Sequence, residues 1–521
     1  MKEKLFSYLP GLVLFVIALG IGLYAYQDYG ISWDEPLQRG PGLLSYNYMF
    51  HGSQELFLQP TDNHGAGFEL LLVIIEKSMR LTDSRDIYLM RHLVSHIFFL
   101  LSVLSAYFLI IRLFNNKFLA CLCFIMLAFA PRIYAHSYFN SKDIPFYAMI
   151  LFSLSYCQIA FEKNKPIHFF ILGLLCGYAT SIRIMGVLLV AFIFLFIAFD
   201  VIAERSYADK KALKKQAIKS LVFLVGFVFT LYISWPFLWK SPVNNFIDSF
   251  VKLSHFDWDA STLMNGMYVR TTDLPWTYFP TWFLVTTPIL WIVIGLIGLW
   301  TIIKDFLKKP GSFLTNRKER NHLLYLLWFF TPVLAVIMLK SVIYDDWRHL
   351  YFVYPAFVLA GIYGLNKMLL AVKKQYQIAI MSICVIQIAM VGNFMVTAHP
   401  FQQVYFNELV PHTDEYLREN YELEYWGCGF KQGLDHLVSK SKTDTVRVAC
   451  NYNDPLINNV MILQKQDRAR IKLYQITEMG KADYFITNFR GHREDYPSKN
   501  IEYSVKVLNS TVLCVFKLKK N

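Results

Sequence analysis

Apolar stretches of about 20 residues recur along most of this chain, and a polypeptide carrying so many of them folds in a bilayer rather than as an ordinary soluble domain. At about 1.5 Å per residue, each stretch is long enough to cross the membrane as a helix. Of 521 residues, 55% are hydrophobic and 17% charged, against roughly 25% charged in soluble domains. The runs predict about eleven spans, at 7–26, 92–113, 118–135, 144–161, 166–182, 184–200, 219–238, 281–302, 322–340, 350–370 and 376–397. Arg183 splits 166–182 from 184–200, and Pro131 with Arg132 interrupts 118–135. Broken helices of this kind are tolerated where they line a cavity.

Basic residues set the expected topology. Lys2 and Lys4, Arg112 and Lys117, Lys163 and Lys165, the stretches 203–219 and 304–320, and Lys373–Lys374 all fall on one side, read as cytoplasmic. The other side receives the loop with Asp34 and Glu35, the segments 131–143, 239–280 and 340–349, and, with an odd number of spans, residues 398–521. The net charge of +13 is therefore a topology signal. Its short blocks are tied to span ends, which excludes a nucleic-acid partner. The N-terminal run is too long for a cleavable signal peptide and lacks a small-residue cleavage pattern.

From residue 398 the character changes. TVRVAC, RIKLYQI, ADYFITN and YSVKVLNSTVLCVFKL read as strands, preceded by helical or irregular pieces in HTDEYLRENYELEYW and GFKQGLDHLVSK. The chain thus divides into a membrane domain, 1–397, with a folded first outer loop, 27–91, and a small α/β or α+β domain, 398–521. Cys121, Cys123, Cys157, Cys176 and Cys384 lie in spans as small apolar residues, whereas Cys428, Cys450 and Cys514 leave room for one disulfide in the tail. No phosphate-binding loop is present, so energy comes from the substrate itself or an ion gradient.

The polar groups at span ends are the functional candidates. Asp34 and Glu35, between Trp33 and Pro36, sit where the first span leaves the bilayer. A carboxylate there is expensive to dehydrate and suits a general base within about 3 Å of an attacking hydroxyl; the bland alternative is a solvated turn and helix cap. Asp62, Asn63 and His64 form a second cluster, with a spacing too unspecific to define a metal site, which leaves a divalent cation open. The run GFELLLVIIEKSMRL reads as an amphipathic helix at the interface, or else as a core helix of the loop. Arg132, His136, Lys142 and Asp143 cluster after the third span, Arg183 lies between two spans, and Lys340, Tyr344, Asp345, Asp346, Arg348 and His349 cap the ninth and tenth. Cations at headgroup depth suit a phosphate, although snorkelling and structural ion pairs give the same pattern. The 239–280 loop, rich in aromatics and prolines, reads as a lid. Tyr421, Tyr425 and Trp426 suit stacking on a glycan or docking of the tail.

With Asp34–Glu35, the folded first loop, PRIYAHSYFNSKD and the tail lined up, residues 7–397 resemble the GT-C membrane glycosyltransferases. The resemblance is to the dolichyl-phosphate-mannose protein mannosyltransferase family (glycosyltransferase family 39) and its bacterial lipid A aminoarabinose-transferase relatives. It implies an all-α polytopic bundle and an inverting glycosyltransferase that moves a sugar from a polyprenyl-phosphate donor to a glycan, lipid or protein hydroxyl. The site and tail would face the periplasm or exterior of a bacterial plasma membrane. By the same resemblance Asp34, Glu35 and Asp143 are catalytic, and Lys142, Arg183, Arg348 and Arg132 hold the donor phosphate. His64 lies near the substrate, with His136 and His349 as further substrate-binding candidates in the outer clusters. The β-trefoil domain of the eukaryotic protein mannosyltransferases is missing, which favours a bacterial enzyme. Two rival readings, a secondary transporter and a membrane scaffold for envelope glycan assembly, predict charges at mid-membrane or a site indifferent to its carboxylates.

Overall fold

The computed structural model describes residues 2–58, 65–254, 258–498 and 500–518. Among them, nine helices are long and apolar enough to cross a membrane, and a tenth span is formed if the bent pair Lys117–Ala128 and Pro131–Phe139 is counted as one. The protein is a mostly helical polytopic bundle with a small C-terminal sheet domain. Helices Asp143–Lys163 and Arg348–Ala371 form its centre, with 83% and 78% of their apolar windows buried, whereas Phe6–Ala25 and Lys374–Thr397, at 17% each, lie on its outside.

Helix ends follow the capping chemistry of the sequence. The Asp83 carboxylate accepts from the Arg85 amide at the start of Ser84–Phe114, and Asn115 closes that helix in the left-handed conformation. Three expected spans are redrawn. Segment 118–135 is not straight: Pro131 lacks the N–H that would continue the preceding helix, and the axis turns by 58°. The second span begins at Ser84 instead of 92, which carries Arg91 and His92 into the interior. The run 281–302 breaks at Pro288, so its membrane-length helix starts at Ile289. Pro166–Ile182, at 17 residues, is shorter than the nine. It packs tightly on Lys210–Ser234, where a Cβ on Gly173 would stand 2.1 Å from the Phe223 carbonyl oxygen and one on Gly177 2.3 Å from that of Phe227. Only glycine permits that approach.

The first-loop helix Gly67–Ser78 is a core helix, correcting the interfacial reading. Its two carboxylates point inward: Glu69 pairs with buried Arg91, and Glu76 accepts two bonds from Arg39 at 2.8 and 2.9 Å. The 239–280 segment contains helix Pro242–Ser254 and an antiparallel hairpin, β1 (Ser261–Met264) with β2 (Met267–Arg270).

In the tail, the expected strands appear as β3 (Val446–Ala449), β4 (Ile471–Tyr474), β5 (Tyr484–Thr487), β6 (Ile501–Val507) and β7 (Ser510–Lys517). They form one mixed sheet in the order β4-β3-β5-β7-β6, parallel on one side and antiparallel on the other. Helices Asn453–Met461 and Lys465–Arg470 supply the crossover that a parallel β3–β4 pair needs. The sheet packs its own core on helix Phe430–Lys440 through Phe430, Leu434 and Leu437. Before that helix, Phe401, Phe406, Tyr421, Tyr425 and Trp426 join the core of the bundle. All eight cysteines are free thiols, so the tail disulfide left open by the sequence does not form.

Candidate functional site

Loops that the basic-residue pattern assigns to one side do converge. The end of the first span, the turn before Asp143, Arg183 and the 344–349 segment meet under the tail, while Arg112 and Glu162 pair at 2.8 Å at the far ends of their helices. Asp34 occupies the N-cap of helix Glu35–His51, with Pro36 in its first turn, yet its carboxylate makes no capping bond. It accepts instead from Arg348 Nη1 at 3.0 Å, and its side chain stays 31% exposed.

The two adjacent acids therefore part company. Glu35 is buried, accepting from the Ser32 amide at 2.8 Å and bonded to His92 Nε2 at 3.0 Å. It ties the Asp34 turn to helix Ser84–Phe114 and is closed to a substrate.

Arg348 is the hub. Beyond Asp34, it lies 3.6 Å from Asp143 and 3.9 Å from Asp345, with its guanidinium 4.5 Å from the Trp426 ring and 5.0 Å from that of Tyr344. Asp143 is buried, pairs with Arg183 and accepts from Asn140 Nδ2 at 2.9 Å. With two guanidinium groups and an amide on it, Asp143 holds cations in place and has no open face for proton transfer. Lys142, partly buried, donates to Gln38 Oε1 at 3.2 Å. Burial, and then the Arg183 charge, push Lys142 down to about 8. His349 packs edge-on against Tyr344 and lies within electrostatic reach of Asp143, Arg183 and Lys142. Its buried Nδ1 has no partner among the described residues. Asp34, Lys142, Arg183, Arg348 and His349 are thus brought together: one open carboxylate beside three fixed cations and a histidine.

Arg132 and His136 are not part of that cluster. Arg132 is buried, donating to Asp346 Oδ2 and to the Tyr405 carbonyl, both at 3.0 Å. The bend at Pro131 turns it into the core, which corrects its reading as a phosphate anchor. Asp346 also accepts from Tyr351 and Tyr425 hydroxyls at 2.9 and 2.8 Å, and its burial raises its pKa. His136 Nε2 accepts from the Trp426 indole at 3.0 Å, so it docks the tail and leaves no lone pair for a substrate. Asp62, Asn63 and His64 lie outside the described residues. Among the described residues, no group of three or more His, Cys, Asp or Glu could hold a metal ion.

The sequence reading missed Arg490, Gln38 and His92. Of the two roles open to Tyr425 and Trp426, docking is the one observed. Arg490 follows β5 in an ordinary polar loop, and nothing in its spacing points to Asp345, 145 positions earlier.

A family model described as dolichyl-phosphate-mannose-protein mannosyltransferase matches residues 71–235. The match spans less than half of the chain and leaves Asp34, Arg348 and the tail outside it. No curated protein matches the chain in sequence. Among solved structures, ArnT from Cupriavidus metallidurans in the apo state is similar at 12% identity over 97% of both chains, TM-score 0.48. The same protein bound to undecaprenyl phosphate gives 12% and 0.46 over the same coverage. The Archaeoglobus fulgidus oligosaccharyltransferase tethered with an acceptor peptide is 12% identical over 92% of this chain and 69% of its own, TM-score 0.49.

Proposed function

We propose that this chain is an inverting glycosyltransferase that moves a sugar from a polyprenyl-phosphate donor to a hydroxyl acceptor on the non-cytoplasmic side of a bacterial plasma membrane. The observation that carries the reading is the partly exposed Asp34 carboxylate next to Lys142, Arg183 and Arg348 at one end of the bundle. The family-model match over 71–235 supports the same class.

Asp34 takes the proton of the acceptor hydroxyl as its oxygen attacks the anomeric carbon. The bond from that carbon to the phosphate oxygen breaks, and polyprenyl phosphate leaves as an anion neutralised by the three cations. One carboxylate, with no covalent intermediate, gives inversion, so a β-phosphate donor yields an α-linked product. The lipid enters from the bilayer and the acceptor, a glycan, lipid or protein, from the aqueous side. Glu35 and Asp143 act through what they hold: Glu35 fixes the Asp34 turn and Asp143 the two arginines.

Mass spectrometry of envelope glycans and lipids tests this, comparing a deletion strain complemented with the parental chain or with Asp34→Asn. A sugar modification present only with the parental chain is expected. Identical profiles in these two strains and in the uncomplemented deletion strain would overturn the reading.

A further inference from the structure

Asp345 and Asp346 both adopt left-handed backbone, with φ of 54° and 63°. Non-glycine residues hold such conformations only when their surroundings over-determine them. Asp346 is fixed by Arg132, Tyr351 and Tyr425. Asp345, also buried, is fixed from the tail: Arg490 reaches its two oxygens at 3.1 and 3.3 Å and donates to the Tyr425 carbonyl at 2.9 Å. The same guanidinium lies 5.4 Å from the Trp33 ring, beside Asp34. The Trp33 amide donates to the Trp426 carbonyl at 2.9 Å, and the Trp426 ring covers Arg348. The tail therefore touches both halves of the Asp34–Arg348 pair.

We propose that Arg490 is a positioning residue for the site: by neutralising Asp345 it keeps Arg348 on Asp34 and available to the donor phosphate. Arg348 stands among three carboxylates, at 3.0 Å from Asp34, 3.6 Å from Asp143 and 3.9 Å from Asp345. Without Arg490, Asp345 is a buried charge whose remaining cation is Arg348. A buried carboxylate draws the nearest cation to itself, because leaving it unpaired is costly. Arg348 then shifts from Asp34 toward Asp345, and the phosphate loses one of its three cations. The sheet domain is in this way part of the site and more than an appendage to it.

The effect on phosphate rests on the function proposed above, so the test has two readouts, both on the full chain purified in detergent. Undecaprenyl phosphate is the binding probe. Arg490→Gln is expected to weaken it about tenfold, within the usual coupling inside one ion-pair network. Adding Asp345→Asn removes the competing charge and is expected to restore affinity to within about twofold of the parent. A merely structural role for Arg490 gives no such rescue. Arg490→Lys keeps the charge and is expected to lose less than Arg490→Gln; equal losses would overturn the charge argument, as would a double variant no tighter than Arg490→Gln. Hydrogen exchange of peptides covering 340–353 reads the turn itself, without lipid, and is expected to speed up in Arg490→Gln. Unchanged exchange overturns the positioning role. Parental affinity in Arg348→Gln, with faster exchange in Arg490→Gln, would sink the phosphate reading alone.

Discussion

Replacing Arg183 by Gln removes one of the two guanidinium groups on buried Asp143 and one of the three cations proposed to receive the donor phosphate. A charge-assisted hydrogen bond contributes about 1.5–3 kcal/mol, so a lost phosphate contact corresponds to roughly ten- to over a hundred-fold in affinity. Breaking a fully buried ion pair costs about 3–5 kcal/mol. Here the cost should be smaller, about 2 kcal/mol, because Arg183 is 15% exposed and Asp143 keeps Asn140 at 2.9 Å and Arg348 at 3.6 Å. Arg183→Lys keeps a point charge without the planar fork and should retain part of the binding. Undecaprenyl phosphate affinity and thermal unfolding, measured on the same detergent-solubilised variants, separate the two consequences. The expected result is a loss of affinity in Arg183→Gln and, in Arg183→Gln/Asp143→Asn, where the stranded carboxylate is gone, a loss greater than that of Asp143→Asn alone. A variant that melts lower but binds the lipid as the parent does would refute the phosphate role of Arg183.

Lys142, held down to about 8, should lose its proton near that value, so lipid-phosphate affinity should fall as pH rises through about 8. Lys142→Arg should abolish that dependence, and a binding curve flat from neutral to alkaline pH would contradict it. In the tail, burial pushes the Glu422 and Glu424 carboxyls up to about 7 from 4.5. The folded state then binds more protons than the unfolded one between those values, so stability should fall as pH rises from about 4.5 to about 7 and level off above. Glu424→Gln should flatten part of that slope in a melting series. For orientation, single cysteines at Lys210, Thr315 and Lys374 should react only after permeabilisation, and those at Ala260 and Arg470 from outside; outer labelling at Lys210 would invert the assignment.

Much of the architecture was legible because the bilayer forces it. Twenty-residue apolar runs have few alternatives to helices, and the short alternating segments of the tail became β3 to β7 where expected. What the sequence hid was direction. Whether Asp34 or Glu35 joins the cation cluster depends on one residue of rotation at a helix start, and Pro36 allows either. Arg132 and Lys142 look alike as basic residues near span ends, yet the bend at Pro131 turns the first into the core against Asp346, whereas the second stays partly buried beside Gln38. Arg490 was invisible because its partner belongs to another domain, and no local periodicity records a contact between Asp345 and a loop after β5. The helix Gly67–Ser78 misled for a related reason: its carboxylates read as a wet face but are neutralised internally by Arg91 and Arg39.

Whether Asp34 removes a proton from the acceptor is decided most directly by sugar transfer from a polyprenyl-phosphate donor, measured with purified Asp34→Asn and Glu35→Gln proteins that fold. Asn keeps the shape of Asp34 and removes its basicity, so its rate should drop by about 100-fold to 10,000-fold at near-parental lipid affinity. Glu35→Gln should lose stability first and rate to a lesser degree. Asp34→Asn protein transferring sugar at the parental rate would contradict the account at its centre.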